Sequence, residues 1–216
     1  MNIYEPSVVA FIDILGFKSA LRDSSKASGI LDALSHVKRW IDEHYSDPSR
    51  DQFQGIFDIE LTAFSDSVVI SGGESQAIIV VFAALEFSQL LIDKGFLCRG
   101  AIACGELYHK EGIVFGSGLV DAYKTETYQA VYPRIILDQC TVELLNKSKS
   151  DPADFEGLIV LDKDGGVFLN FLYVDGSTAR DLKVALCGLV KNELESNFND
   201  RCVRQKLMWV NNEYCS

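Results

Sequence analysis

The sequence predicts an α/β fold whose centre is a ferredoxin-like βαββαβ sheet. Two observations support this prediction. The first half of the 216-residue chain reads strand, helix, strand, strand, helix, strand from its hydrophobic periodicity. The chain also has, at residues 8–12, five consecutive apolar residues that are typical of a strand buried on both faces.

The next elements follow from the spacing of their apolar residues. Residues 28–44 carry apolar side chains at helical spacing, and a polar stretch with a proline, residues 45–55, is expected to be a loop. Residues 57–63 then alternate between apolar and polar types, which is the period of a half-buried strand.

A hairpin and a long helix complete the repeat. Residues 65–67 have the composition of a turn, and residues 68–71 form a second short strand, so Asp66 is expected near the tip of a hairpin. A helix over residues 76–94 is expected to end at Gly95, and residues 97–107 again favour a strand.

The second half of the chain is expected to extend this sheet. Its predicted elements are an extended segment at 112–115, a helix from 116 to 127, a strand at 132–137, a helix at 141–147, a hairpin of 158–161 with 167–171, and a helix at 177–198 followed by a helical tail. We therefore divide the chain into a sheet domain, residues 1–175, and a helical extension packed on it, residues 176–216.

Composition narrows the range of functions. The formal net charge of −11 argues against a broad surface for nucleic acid or an anionic membrane. No apolar run approaches membrane-spanning length, and the N-terminus lacks the basic segment of a signal peptide, so we expect a cytoplasmic protein. The six cysteines form no CxxC pair and are expected to be reduced.

Two aspartates are predicted to meet at one edge of the sheet. Asp13 ends the first strand and Asp66 lies in the hairpin turn. In a split βαβ sheet the first two strands run parallel with the third between them, which places both residues at the same edge. Neighbouring carboxylates repel unless a cation lies between them, so a metal site is predicted. The alternative is that both aspartates cap a helix or a turn.

Four motifs, in this order, resemble those of class III nucleotide cyclases. FIDILGF at residues 11–17 resembles the first metal motif, and AFSDS at 63–67 the second, with Ser65 where those enzymes usually have glycine. RGAIACG at 99–105 resembles the core strand that follows. The Phe-Gly pair at 115–116, with the helix after it, resembles the segment that carries transition-state residues.

This resemblance spans residues 8–138 and implies a cyclase catalytic domain with two-metal chemistry. The ribose 3′-oxygen would attack the α-phosphate of a nucleoside triphosphate and release pyrophosphate. The active unit would be a homodimer with sites shared between its chains. The resemblance implies two Mn²⁺ or Mg²⁺ ions per site on Asp13, Asp66 and the Ile14 carbonyl, and phosphates on the backbone amides of Leu15, Gly16 and Phe17.

Departures from the purine-specific members point to a pyrimidine substrate. Thr62 stands where adenylate cyclases usually have lysine and guanylate cyclases glutamate. Ile113 stands ahead of the Phe-Gly pair, at a second base-selecting position where adenylate cyclases commonly have aspartate. The usual asparagine and arginine of the helix fall at Val120 and Lys124. The chain is most similar to the bacterial pyrimidine cyclases of Pycsar antiphage defence, which make cyclic UMP or CMP for a separate cyclic-nucleotide-gated effector. A purine cyclase and a non-catalytic nucleotide-binding relative remain alternatives.

Three cations are candidates for contacts with the substrate. Arg99 and Arg134 lie in apolar strands, where a guanidinium needs a carboxylate or phosphate partner. By resemblance, Lys124 and Arg99 are assigned to catalysis, and Arg134 and Thr62 to substrate binding. Structural ion pairs for the arginines, and an ordinary exposed position for Lys124, are the alternatives.

Overall fold

The computed structural model describes residues 3–45, 59–148, 155–174 and 177–216. Its strands are β1 (Glu5–Ile14), β2 (Glu60–Phe64), β3 (Ser67–Gly73), β4 (Cys98–Lys110), β5 (Ile113–Gly116), β6 (Ile135–Leu137), β7 (Ile159–Leu161), β8 (Val167–Leu169), β9 (Tyr173–Val174) and β10 (Ser177–Thr178). Its helices are α1 (Phe17–Ala20), α2 (Ser24–Tyr45), α3 (Ala77–Asp93), α4 (Ser117–Gln129), α5 (Gln139–Ser148), α6 (Arg180–Ser196) and α7 (Arg201–Val210).

The main sheet is organised around β1. Its strand order is β2-β3-β1-β4-β6-β8-β7, with β5 paired to β4. Strand β1 is antiparallel to both β3 and β4, and β2 is antiparallel to β3, so β1 and β2 run parallel with β3 between them. This arrangement confirms the predicted βαββαβ fold.

Strand β1 is buried on both faces, as its apolar run predicts. Val8, Ala10 and Ile12 belong to the large core formed with α2 and α3, whereas Val9 and Phe11 belong to a smaller core beneath α4. The end of β1 therefore lies between two helical layers, close to the inner face of α4.

Helix α3 accounts for the most apolar part of the chain. Residues 74–93 are long and apolar enough to cross a membrane by length and composition, but 61% of that apolar window is buried inside the protein. The helix packs on β1 and β3 and against α2, α5 and α6. Its apolar composition therefore matches a position in the core.

Several predicted boundaries shift for identifiable reasons. The strand expected at residues 132–137 begins only at Ile135, because Pro133 cannot donate a ladder hydrogen bond. The helix expected at 177–198 begins at Arg180, because the residues before it form β10. The predicted 45–55 loop lies almost wholly outside the described residues, as does the start of the strand that became β2.

The prediction that all cysteines are reduced was wrong for one pair. Cys187 of α6 and Cys215 at the end of the chain form a disulfide with a Cα–Cα distance of 5.7 Å. The two cysteines are 28 residues apart in the sequence, so no local motif predicts their pairing.

The C-terminal helices share the core of the sheet. Leu186 of α6 and Leu207 of α7 belong to the same core as the sheet. The domain boundary at residue 175 stays a prediction.

Candidate active site

The end of β1 and the β2–β3 turn meet at one edge of the sheet. The backbone N–H of Ile14 donates to the Asp66 carbonyl at 2.8 Å, and Asp13 is in register with Ser67. Ser65 holds this turn with φ of 57°, the left-handed conformation that glycine adopts most easily. The structure thus brings the Asp13 and Asp66 segments together as the sequence predicted.

The turn after β1 is shaped by Gly16. Its φ of 79° is left-handed, and its carbonyl accepts the amide of Ser19 at 3.1 Å and the Ser19 hydroxyl at 2.7 Å. The Leu15 amide already donates to the Leu97 carbonyl at 2.9 Å, because the chain continues the β1–β4 pairing for one more residue. The Leu15 amide is thus engaged in the sheet, and the amides of Gly16 and Phe17 are the stronger candidates for a phosphate.

Arg99 lies between two carboxylates beside this edge. Its Nε donates to Asp13 Oδ2 at 3.1 Å and lies 2.8 Å from Glu126 Oε1. The side chain of Glu126 is only 3% exposed, against 19% for Asp13. Nε carries a single proton, which points at Asp13, so Glu126 Oε1 is buried without a hydrogen bond.

The charge balance of this cluster shows in the pKa of Glu126. Burial raises that pKa, and the Asp13 charge raises it further, whereas Arg99 lowers it. The ion-pair alternative for Arg99 is therefore what the structure shows. Sequence reasoning missed Glu126, although its spacing of four residues from Ala122 and eight from Gly118 places all three on the inner face of α4.

Helix α4 packs closely on the sheet and turns a second face outward. A Cβ on Gly105 of β4 would lie 2.6 Å from the Gly118 Cα, so two glycines permit this contact. On the outer side Val120, Tyr123 and Lys124 are exposed. The helix thus connects the buried Glu126 to an open surface.

Solved structures that match this arrangement of sheet and helices include nucleotide cyclase domains. The adenylyl cyclase CyaB from P. aeruginosa matches at TM-score 0.51 and 14% identity, covering 82% of this chain and 97% of that one. The dimeric guanylyl cyclase domain of the RhoGC fusion protein from Blastocladiella emersonii matches at TM-score 0.50 and 10% identity, covering 76% and 93%. The chain has the class III cyclase catalytic fold.

Other comparisons add less. No family model and no curated protein matches the sequence. A bacterial light-regulated adenylyl cyclase matches 82% of this chain at TM-score 0.49 and 13% identity. The match covers only 54% of that protein's length. At such identities the likeness concerns the fold.

On the cyclase fold Thr62 lies on the sheet face beside α4, but its hydroxyl already has a partner. Thr62 Oγ1 lies 2.8 Å from Nε2 of His109, whose Nδ1 is 2.7 Å from the Ser71 hydroxyl. His109 comes from the far end of β4 and is buried, which lowers its pKa to about 4 and keeps the ring neutral. Sequence reasoning missed this contact, because 47 residues separate Thr62 from His109.

Arg134 lies away from any open surface. Its side chain is 2% exposed, one terminal nitrogen pairs with Asp162, and the other donates to Asp164 at 2.5 Å. Its guanidinium carbon lies 5.5 Å from the ring centroid of Tyr132 and 5.6 Å from that of Trp209, within cation–π range. The structure supports the ion-pair alternative for Arg134.

Replacing Arg134 should destabilise the fold strongly. In Arg134→Met the 8% exposed Asp162 would keep its charge without its main partner, a loss of about 3–5 kcal/mol in the free energy of unfolding. The matched control is Asp164→Asn, because Asp164 is 48% exposed and its pair is expected to contribute below about 1 kcal/mol. Urea denaturation followed by tryptophan fluorescence measures the stability of both variants. Equal stability of the two variants would contradict the structural assignment.

Proposed function

We propose that this protein is a nucleotide cyclase that converts UTP or CTP to the 3′,5′-cyclic monophosphate and pyrophosphate. The observation that carries the proposal is the meeting of β1 and the β2–β3 turn, where Ile14 N–H donates to the Asp66 carbonyl beside Asp13. Two aspartates whose backbone segments meet at a sheet edge, on a class III cyclase fold, are suited to two-metal phosphoryl chemistry.

The donors at this edge fit Mn²⁺ or Mg²⁺. Asp13, Asp66 and the Ile14 carbonyl offer only oxygen ligands, which hard divalent ions prefer, and such ions take their remaining ligands from water and substrate phosphates. No cluster of three or more acidic, histidine or cysteine ligands occurs in the parts of the chain that the structure describes. When bound, the ions would lower the pKa of the ribose hydroxyl and neutralise the leaving group.

The protein residues have separate tasks in this proposal. Arg99 holds Asp13 Oδ2 at 3.1 Å and thereby fixes the direction of the carboxylate. The left-handed Gly16 turn presents its amide and that of Phe17 toward the phosphates, where a side chain on Gly16 would strain the backbone. Lys124, exposed on α4, would balance the charge that develops on the phosphates.

A homodimer would place Lys124 at the site of the partner chain. Two apolar residues are exposed on the same helix as Lys124, Val120 at 47% and Tyr123 at 52%, and β5 carries two more, Ile113 at 56% and Phe115 at 40%. Large apolar side chains exposed together on one helix favour a protein partner. In an isologous dimer each chain would cover the other's site with α4.

Thr62 favours a pyrimidine base. The long charged side chain that reads purines in related enzymes is replaced by a short hydroxyl held by His109. Thr62 can accept from His109 and donate to a carbonyl of the base, provided that Nε2 carries the ring proton. By resemblance, the cyclic pyrimidine nucleotide would then act on a separate effector in antiphage defence.

Incubation with each of the four nucleoside triphosphates and Mn²⁺ is expected to yield cyclic UMP or cyclic CMP in excess of the purine products. Polar contacts to a base edge discriminate strongly, by up to about 10⁴-fold, because a wrong base leaves buried groups unpaired. Chromatography with mass spectrometry identifies the products. A preference for ATP or GTP would indicate a purine cyclase, and binding without any product would indicate a non-catalytic relative.

A further inference from the structure

A cavity of about 280 Å³ lies between the Gly16 turn and the C-terminal helices. The turn contributes Leu15 and Gly16 to its wall, and α7 contributes Lys206. Ligand sites for drug-sized molecules are usually about 300–1,000 Å³, so this cavity suits one part of a nucleotide rather than the whole. Its position next to the end of β1 makes the phosphates the relevant part.

Two lysines line this cavity without an ion-pair partner. Lys206 of α7 is half-buried and Lys26 of α2 is exposed. Among the described residues no carboxylate lies within ion-pair distance of either ammonium group. In a protein of net charge −11, two cations that line one cavity, against the single carboxylate of Glu193, indicate a site for an anion.

One carboxylate, that of Glu193, also lines the cavity and keeps its negative charge. Its Oε2 accepts a hydrogen bond from Asn197 Nδ2 at 2.9 Å, and in the described part of the chain it forms no ion pair with either lysine. The Lys206 charge acts on the buried carboxyl of Glu126 and lowers its pKa, against the larger effect of burial. Lys206 therefore lies within electrostatic range of the Asp13–Arg99–Glu126 cluster while it faces the cavity.

We infer that this cavity binds the polyphosphate end of the substrate, with Lys206 and Lys26 as its cations, so that the C-terminal helices complete the active site. The inference rests on the proposed function. Lysine acts on a phosphate as a mobile point charge, and two such charges suit the several oxygens of a di- or triphosphate. The released pyrophosphate would leave from the same cavity.

Titration with inorganic pyrophosphate in the presence of Mn²⁺ tests this inference. Lys206→Gln is expected to weaken pyrophosphate binding about tenfold, the loss of one charge-assisted hydrogen bond, and Lys26→Gln about threefold because Lys26 is exposed. Lys206→Arg should retain most of the affinity. The matched control is Lys191→Gln on the exposed side of α6, which should bind as the wild type does. Thermal unfolding establishes that each variant is folded.

The outcomes separate this inference from the proposed function. Equal pyrophosphate affinity in Lys206→Gln and Lys191→Gln, or no binding by the wild type, overturns the inference even if the wild type makes cyclic nucleotides. Lysine-dependent pyrophosphate binding by a wild type that forms no cyclic product supports a polyphosphate site and overturns the cyclase. Weaker binding in Lys206→Gln together with a raised KM for the nucleotide supports both.

Discussion

Asp13→Asn and Asp66→Asn should each lower cyclic-nucleotide formation by about 10³-fold or more while the protein stays folded. Each change removes the charge of one carboxylate at the edge where β1 meets the β2–β3 turn. Metal ions contribute several kcal/mol to the stabilisation of the transition state, and each 1.36 kcal/mol corresponds to about tenfold in rate. Product formation with Mn²⁺ measures the loss, and titration with Mn²⁺ followed by its electron paramagnetic resonance measures binding directly.

The stability of these variants should differ, because the two aspartates have different neighbours. Asp13 pairs with Arg99, so Asp13→Asn weakens one ion pair but leaves Arg99 with Glu126. Asp66 lies in the β2–β3 turn next to the end of β1, and removal of its charge is expected to relieve repulsion in the metal-free protein. We expect Asp66→Asn to be at least as stable as the wild type. We expect Asp13→Asn to lie within about 1 kcal/mol of it, because the asparagine oxygen can still accept the hydrogen bond from Arg99 Nε.

Asp93→Asn is the control for these substitutions. Asp93 is exposed at the end of α3, next to Lys94, and belongs to no part of the proposed site. It should retain full turnover and Mn²⁺ affinity. Full activity of Asp13→Asn or Asp66→Asn in the same metal-dependent assay would refute two-metal catalysis at this edge.

The position of these aspartates could be predicted because it depends only on the order and direction of strands. The apolar run at residues 8–12 identifies a central strand, and the turn composition around Asp66 identifies a hairpin. Once the sheet is a split βαβ, topology alone brings the ends of these elements together. Periodicity and turn chemistry are local, so they can be read from one sequence.

Side-chain partners across the sheet could not be predicted in the same way. Arg99 has many acidic residues available in the sequence, and its choice of Asp13 and Glu126 depends on the depth at which α4 packs through Gly105 and Gly118. The reach of His109 to Thr62 depends on the path of the long strand β4. Such contacts follow from packing and strand curvature, which leave no periodic signal.

Two variants that are each inactive, Asp13→Asn and Lys124→Ala, should regain activity when they are mixed. Lys124→Ala should be inactive if the lysine replaces the usual arginine of the helix, and Asp13→Asn should be inactive for the reason given above. Lys124 is exposed and faces away from the sheet that carries Asp13, whereas Glu126 on the same helix faces inward. Lys124 would therefore serve the site of the partner chain.

In a two-fold dimer each site then combines Asp13 of one chain with Lys124 of the other. A mixed dimer of the two variants has one wild-type site and one site with both substitutions. Random exchange at equal amounts makes about half of the dimers mixed, so about a quarter of all sites should recover activity. Subunit exchange is followed with differently tagged chains, and Lys191→Gln mixed with Asp13→Asn serves as the control for dilution. If exchange is complete and no activity returns, the sites are not shared between chains.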